Sequence, residues 1–207
     1  MLSNDSGGVV KSRRGLRAVW LKYLGFALLL VGASLWMKGG YIYLKAELGQ
    51  YLINRAWQQS QLTGSAHKAW FWTDTWPLAR LEIPSQGITQ IVMAGDSGQA
   101  LAFGPGHTSS SAQPGSDGVV LISGHRDTHF RFLQFLQEDE EIILQNWEGQ
   151  HTVYRVSSRQ VVDEDVLITN NNNARSLMLV TCWPFDSSGS NPRQRFIVYA
   201  QAVDAFF

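Results

Sequence analysis

The sequence predicts a mainly β domain that follows one N-terminal membrane-spanning helix. The first observation is an uncharged apolar run at residues 23–37 (YLGFALLLVGASLWM). The second is a series of short β-branched runs separated by turn residues beyond Leu78, namely ARLEIP, ITQIVMAG, GVVLISG, EIILQ, HTVYRVSSRQVV, SLMLVTC and RFIVYAQAV. No helical crossover pattern separates these runs, so their spacing favours an antiparallel barrel or sandwich over a parallel α/β sheet. One or two helical turns are expected within residues 128–136 (THFRFLQFL).

Length and composition limit the class of protein. The chain has 207 residues, of which 44% are hydrophobic, and this suffices for one sizeable core but not for two full domains with a linker. Lys plus Arg and Asp plus Glu each number 17, so the net charge is about zero and no nucleic-acid partner is expected. Cys182 is the only cysteine, which excludes an intramolecular disulfide and a metal site made of several thiolates.

The N-terminal apolar run predicts a membrane anchor. A helix needs about 20 apolar residues to cross a bilayer, and the run reaches that length with its flank at residues 18–22 if Lys22 extends toward the lipid headgroups. Basic residues upstream keep the N-terminus cytoplasmic and place the rest of the chain on the far side of the membrane. A cleaved signal peptide is the alternative, because Val31 and Ala33 form a V-x-A pattern after a short apolar core.

The segment between the anchor and the β domain divides into two parts. Residues 41–62 have apolar side chains at helical spacing and predict an amphipathic helix that forms a stalk. Residues 63–77 interrupt that period with Gly64 and Pro77 and contain four aromatic side chains, which are expected to pack across the domain surface or, alternatively, to lie at the membrane interface. The predicted organisation is a basic cytoplasmic N-terminus (1–17), a transmembrane signal-anchor helix (18–38), a stalk with an aromatic linker (39–77) and a β domain (78–207).

Three predicted strand ends have side chains suited to nucleophilic catalysis. His125 follows an apolar strand and a glycine, so its imidazole can project from the rim of the domain. Cys182 ends another apolar strand, just before a Trp-Pro pair breaks the ladder. A nearby imidazolium or guanidinium lowers the pKa of a thiol, and a base can transfer the proton to a leaving amine. Arg193 and Arg195 stand at the start of a third strand, and a guanidinium fixed there can stabilise an oxyanion or hold a substrate backbone.

These residues resemble the sortases, and within them the type found in Gram-negative marine proteobacteria. The resemblance covers roughly residues 75–207 and rests on SGHRDTHF at 123–130, on LVTC at 179–182, which matches the family's TLxTC strand without its leading Thr, and on RFIV at 195–198. It implies an eight-stranded sortase β-barrel with short helices. It also implies that Cys182 attacks the Thr-Gly carbonyl of an LPxTG-like C-terminal sorting signal on an exported protein, and that an amine of unknown identity resolves the thioacyl-enzyme.

The resemblance assigns a role to each residue of the site. Cys182 is the nucleophile, His125 the general acid and base, and Arg195 the oxyanion-binding or substrate-orienting cation, while Thr181 matches the Thr before the nucleophile and is expected to bind substrate. Two secondary candidates are Arg193, which needs a bulge or a two-residue slip to take the cation's place, and Asp127, which can orient His125 or cap the following turn. The implied location is the cell inner membrane, single-pass, with the catalytic domain facing the periplasm.

Two other functions stay open. In a hydrolytic cysteine peptidase water resolves the acyl-enzyme, and in a non-catalytic membrane-tethered protein-binding domain Cys182 is a buried hydrophobe. No cofactor and no metal are expected. Zinc bound by His125, His129 and Cys182 is disfavoured because the intervening RDT lacks the glutamate of a zincin motif, and no EF-hand spacing occurs. The remaining histidines, His67, His107 and His151, are expected to be solvated.

Overall fold

A computed structural model describes residues 8–163, 175–186 and 193–203, so residues 1–7 of the predicted basic N-terminus lie outside the described residues. The chain divides into two compact units, Met1–Leu48 and Gly49–Phe207. A helix, α1, spans Gly8–Thr63 and contributes to both units. Residues predicted as the anchor and residues predicted as the stalk are therefore all helical.

The first unit contains the candidate membrane span. Within Val19–Thr63 an 18-residue window has a mean hydropathy of 1.6, and none of that window is buried in the structure. Large apolar side chains such as Leu29 and Trp36 are 73% and 85% exposed. Exposing such a surface to water is unfavourable, and a bilayer removes that cost. The helix is thus long and apolar enough to be a transmembrane span.

Eight strands close into a barrel in the second unit. Their order around the barrel is β1-β2-β3-β4-β7-β8-β6-β5, and β5 pairs with β1 to complete it. The strands are β1 Pro77–Ile83, β2 Ile88–Ala94, β3 Gly106–His107, β4 Val119–Ser123, β5 Glu141–Asn146, β6 His151–Asp163, β7 Ser176–Trp183 and β8 Gln194–Ala202. A short helix, α2, spans Gly98–Phe103, and 3-10 helices span Pro84–Gln86 and Arg131–Phe135. The predicted eight-stranded β-barrel with short helices is confirmed.

Two strand pairs differ from the antiparallel arrangement that the spacing favoured. β2 pairs with β3 in parallel, and β4 pairs with β7 in parallel. Outside residues 164–174, which the structure does not describe, the connection from β4 to β7 contains a 3-10 helix and the strands β5 and β6 but no long crossover helix, which is the usual sequence signal of a parallel pair. β3 has only two residues and lies outside the runs predicted as strands. A Cβ on its Gly106 would lie 2.5 Å from the carbonyl oxygen of Gly95, so only glycine permits this approach.

Alternating side chains separate the barrel core from its outer surface. On β7, Leu177 and Leu179 belong to the main core cluster, and on β8 so do Phe196, Val198 and Ala200. The intervening residues Met178, Val180 and Ile197 form a second, smaller cluster on the opposite face. This period of two is the geometry of a strand whose two faces are both covered. β7 is therefore buried along most of its length, and β8 is buried in its central part.

The end of α1 packs with the barrel in the second unit. Ile53, Ala56 and Trp57 are at most 3% exposed, and Ile53 forms a cluster with Met93 and Ala100. The linker continues this packing, since the rings of Trp70 and Phe103 meet edge to face at 4.8 Å. The last turns of the predicted stalk are thus part of the barrel unit. Sequence periodicity did not reveal this, because the apolar stripe does not show which part of it another element covers.

Replacing Ile53 by alanine should weaken the second unit. The side chain is fully buried, so the cavity left behind should lower the free energy of unfolding by about 2–5 kcal/mol. Urea denaturation of the full chain in detergent micelles, followed by tryptophan fluorescence, measures this change. Leu62→Ala on the same helix is the control, since Leu62 is 86% exposed and its loss should cost no more than about 0.5 kcal/mol. Equal effects of the two substitutions would contradict the packing of α1.

Candidate active site

Cys182 and Arg195 lie opposite each other in the antiparallel ladder of β7 and β8. The Cα atoms of such a pair are roughly 4.5–5.5 Å apart and their side chains project from the same face. By the alternation along β7, Cys182 shares the face of Met178 and Val180, outside the main core. The Cys182 thiol is only partly buried. The fold therefore places a thiol beside a guanidinium, with solvent within reach.

His125 reaches the same edge through the parallel pairing of β4 and β7. Ser123 is the partner of Val180 in that ladder, and the N–H of Gly124 still donates to the carbonyl of Val180 at 3.0 Å. Continuing this register by two residues from Ser123 brings His125 level with Cys182. The side chain of His125 is exposed. Three neighbouring strands thus bring His125, Cys182 and Arg195 to one edge of the barrel.

Gly124 is required by the turn that follows it. A Cβ at this position would lie 2.7 Å from the ring of Phe130, which is fully buried. The N–H of Phe130 also donates to the carbonyl of His125 at 3.0 Å. The turn therefore places the ring of Phe130 against Gly124, and the hydrogen bond from the Phe130 N–H holds the backbone carbonyl of His125.

No sequence pattern indicated Arg126 as a site residue. Its side chain is 8% exposed, and its Nη1 donates to the carbonyl of Pro184 at 2.6 Å. Its Nε and Nη2 donate to the two carboxylate oxygens of Asp127 at 3.0 and 3.5 Å. The carboxylate of Asp127, a candidate for orienting His125, therefore pairs with Arg126. The only signal in the sequence was an Arg-Asp pair directly after the histidine.

Thr181 and Arg193 occupy different positions from the three strand-end residues. Thr181 is 2% exposed, and its hydroxyl donates to the carbonyl of Gly124 at 2.7 Å. Thr181 lies on the core side of β7, and its hydrogen bond joins that strand to the end of β4. This placement favours a role in positioning the two strand ends over contact with substrate. Arg193 is exposed and precedes the first residue of β8, two residues before Arg195.

An aromatic cluster follows Cys182 along the chain. The rings of Trp183, Phe185 and Phe196 lie within 5.4–5.7 Å of one another, measured between centroids. They line a cavity of about 490 Å³ together with polar residues that include Glu138 and Arg159. By the alternation along β7 and β8, Trp183 and Phe196 lie on the core face of these strands, opposite to the face of Cys182 and Arg195.

His129 lies on the other side of the site. Its burial lowers its pKa below the ordinary value of 6.5, and the charge of nearby His125 lowers the pKa further. His129 lines a second cavity of about 550 Å³, where Gln90 donates to its backbone carbonyl at 2.7 Å. Among residues 8–163, 175–186 and 193–203 no group of three or more His, Cys, Asp or Glu side chains could hold a metal ion.

His107 is buried, contrary to the expectation that it would be solvated. It is 1% exposed, and its Nε2 lies 2.9 Å from the carbonyl oxygen of Ala112 and 3.1 Å from the hydroxyl of Ser111. The cause is β3, the two-residue strand that the sequence did not predict, which brings His107 into the ladder. This histidine is satisfied within the fold and away from the strand edge that contains Cys182.

Comparison with known proteins gives consistent similarities. The sortase domain model matches residues 81–203. Sortase D of Bacillus subtilis (strain 168) is 34% identical over 125 residues, a region that covers 59% of this chain and 62% of that protein. The matched region thus spans less than two thirds of that relative.

Solved structures with the same fold come from other bacteria. Sortase A from Corynebacterium diphtheriae is 26% identical with a TM-score of 0.55, and the match covers 64% of this chain and 63% of that one. A Clostridium perfringens sortase D5 transpeptidase is 20% identical with a TM-score of 0.60, and the match covers 76% of this chain and 99% of that one. At its lower identity, the second similarity concerns the fold alone.

Substituting Gly124 by alanine should disturb the turn around His125. The added methyl group would meet the ring of Phe130, which has no free space to enter because it is fully buried. Such overpacking should lower the free energy of unfolding by about 1–3 kcal/mol, as measured by urea denaturation. Gly149→Ala is unsuitable as a control because its φ is positive, whereas Gly98→Ala has open space around the new methyl group. A Gly124→Ala variant as stable as Gly98→Ala would contradict the contact.

Acid should destabilise the second unit partly through His129. Because the folded-state pKa is lowered, the unfolded state binds more protons below about pH 6.5, so stability falls as pH decreases through 6.5 toward the folded pKa. His129→Gln removes this proton linkage, and the loss of Tm between pH 7 and pH 5 should become smaller. His151→Gln, at an exposed position, is the control. An unchanged slope in His129→Gln would rule out the linkage.

Proposed function

Because the chain belongs to the sortase family, we propose that it is a membrane-anchored cysteine transpeptidase. The observation that supports this proposal best is the register of β4, β7 and β8, which brings His125, Cys182 and Arg195 to one edge of the barrel. A thiol, an imidazole and a guanidinium together supply the nucleophile, the proton carrier and the oxyanion-stabilising cation that acyl transfer needs.

The proposed first half-reaction forms a thioester. The thiolate of Cys182 attacks the carbonyl carbon of the scissile peptide bond, and Arg195 stabilises the negative charge that develops on the carbonyl oxygen. The C–N bond then breaks, and the imidazolium of His125 gives its proton to the departing amine. The acyl group remains bound to sulfur, and His125 is left neutral.

The proposed second half-reaction transfers the acyl group. An incoming amine attacks the thioester carbon and gives a proton to neutral His125. The C–S bond breaks, a new amide forms, and the thiolate and imidazolium are restored. Attack by water in place of the amine would yield a free carboxylate, so acceptor access to the thioester decides between transfer and hydrolysis.

The proposed acyl donor is the LPxTG-like C-terminal sorting signal of an exported protein, cleaved at its Thr-Gly bond. The match of SGHRDTHF, LVTC and RFIV to segments of the sortase family supports this choice. The acceptor is proposed only as an amine.

The proposed location is the inner membrane of a Gram-negative cell, single-pass, with the barrel facing the periplasm. The apolar helix within Val19–Thr63 supports the anchor, and the upstream basic residues support the orientation. The Gram-negative assignment stays a prediction that rests on the SGHRDTHF segment.

An acyl-capture experiment tests the proposal. The full chain in detergent micelles is incubated with an LPxTG peptide, with and without triglycine as the acceptor amine, and intact mass is recorded. We expect a thioacyl adduct in the wild-type protein and a ligated product when triglycine is present, with neither in Cys182→Ala. His125→Ala should slow adduct formation by roughly 10²–10⁴-fold.

A matched pair of substitutions tests which arginine is the cation. Arg195→Gln should slow adduct formation by about 10²–10³-fold because an oxyanion-stabilising donor is lost, whereas Arg193→Gln should have a much smaller effect. The reverse result would transfer the role to Arg193. A cleaved peptide without any ligated product would indicate a peptidase, and peptide binding that Cys182→Ala leaves intact without any adduct would indicate a binding domain.

A further inference from the structure

We propose that Arg126 is a positioning residue that links the turn bearing His125 to the backbone that follows Cys182, with Asp127 as its counter-ion. This inference rests on the proposed function, since it assigns a task within the same site. Arg126 follows His125 in sequence, and its bond to Pro184 spans 58 residues to the segment just after Cys182. One side chain thereby joins the two strand ends that supply the nucleophile and the base.

The hydrogen bond to Pro184 is one of two hydrogen bonds that flank His125 and Cys182. On the strand side, Thr181 donates to the carbonyl of Gly124 at 2.7 Å. Beyond the strands, Arg126 donates to the carbonyl of Pro184 at 2.6 Å. Each of His125 and Cys182 lies between these two hydrogen bonds in its own segment. Movement of either strand end relative to the other must therefore lengthen one of the two hydrogen bonds.

The charge of Arg126 requires the acidic residue beside it. A buried cation is costly unless it is paired and hydrogen-bonded, and the Arg126 guanidinium is 8% exposed. Asp127 accepts from two of its nitrogens while keeping its own side chain 71% exposed. The carboxylate thus neutralises the guanidinium from the solvent side, and the remaining Nη1 is directed to the carbonyl of Pro184.

The planar shape of the guanidinium makes arginine necessary at this position. One fork must reach both carboxylate oxygens of Asp127 while another nitrogen reaches Pro184, and a lysine ammonium presents no fixed fork. Lysine would keep the charge and lose the geometry. Since a displacement of about 1 Å can cost 10²-fold in rate, the geometry matters more than the charge for catalysis.

The test uses Cys182 as a probe, because it is the only thiol in the chain. Iodoacetamide alkylation of the full chain in detergent micelles is followed by mass from pH 5 to pH 9, without any peptide. His125→Gln defines the pH profile of a thiol that has lost its imidazole partner. We expect the profile of Arg126→Lys to move from that of the wild type toward that of His125→Gln. Arg155→Lys is the control, since Arg155 pairs with Glu141 at an exposed site and its profile should be unchanged.

Kinetics and stability separate positioning from other roles. In the transpeptidation assay Arg126→Lys should reduce kcat by roughly 10–100-fold and change KM by less than about threefold. A raised KM with an unchanged kcat would mean that Arg126 binds substrate instead, and a wild-type alkylation profile would overturn the proposal. If Arg126→Lys does not fold, Asp127→Asn replaces it, with a smaller shift expected in the same direction. Because alkylation needs no substrate, an inactive wild-type protein would refute the proposed function without deciding the role of Arg126.

Discussion

The parallel pairing of β4 with β7 is the constraint on which the candidate site depends. Parallel strands end at the same edge of a sheet, so the residues that follow them, His125 and Cys182, emerge together. β8 runs antiparallel to β7 and begins at that edge, which adds Arg195. Had β4 paired in the opposite direction, its five residues would have carried His125 roughly 17 Å away, at 3.3 Å per residue.

Strand direction alone places the three residues at one edge but does not fix their side chains. The closer positioning comes from short-range fits around Gly124, where a missing Cβ admits the ring of Phe130 and the backbone carbonyl accepts from Thr181. These contacts allow little displacement, because a buried ring is closely packed and a buried hydroxyl must keep its hydrogen bond. The link from Arg126 to Pro184 extends the same principle past the strand ends. Barrel topology and local packing therefore act on the site at two length scales.

The sequence predicted the local features of this site better than its long-range ones. Strand runs, their ends and the three reactive side chains could be predicted because alternation and breaking residues are local signals. The parallel direction of β4 and β7, the two-residue strand β3 and the burial of Arg126 could not, because each depends on a partner far along the chain. For the same reason His107 was expected in solvent, and the packing of the end of α1 in the barrel unit was not predicted.

Two histidines four residues apart invite the question of which one carries the proton in the proposed reaction. Protonation of either imidazole disfavours protonation of the other, and burial adds a further cost only where the ring is withdrawn from water. His129 bears that cost, since burial is the larger cause of its lowered pKa and the charge of His125 the smaller. His125 is exposed at the strand edge and level with Cys182. His129 is therefore a neutral neighbour at neutral pH that adds no competing charge, which leaves the exposed His125 as the proton carrier in the proposed reaction.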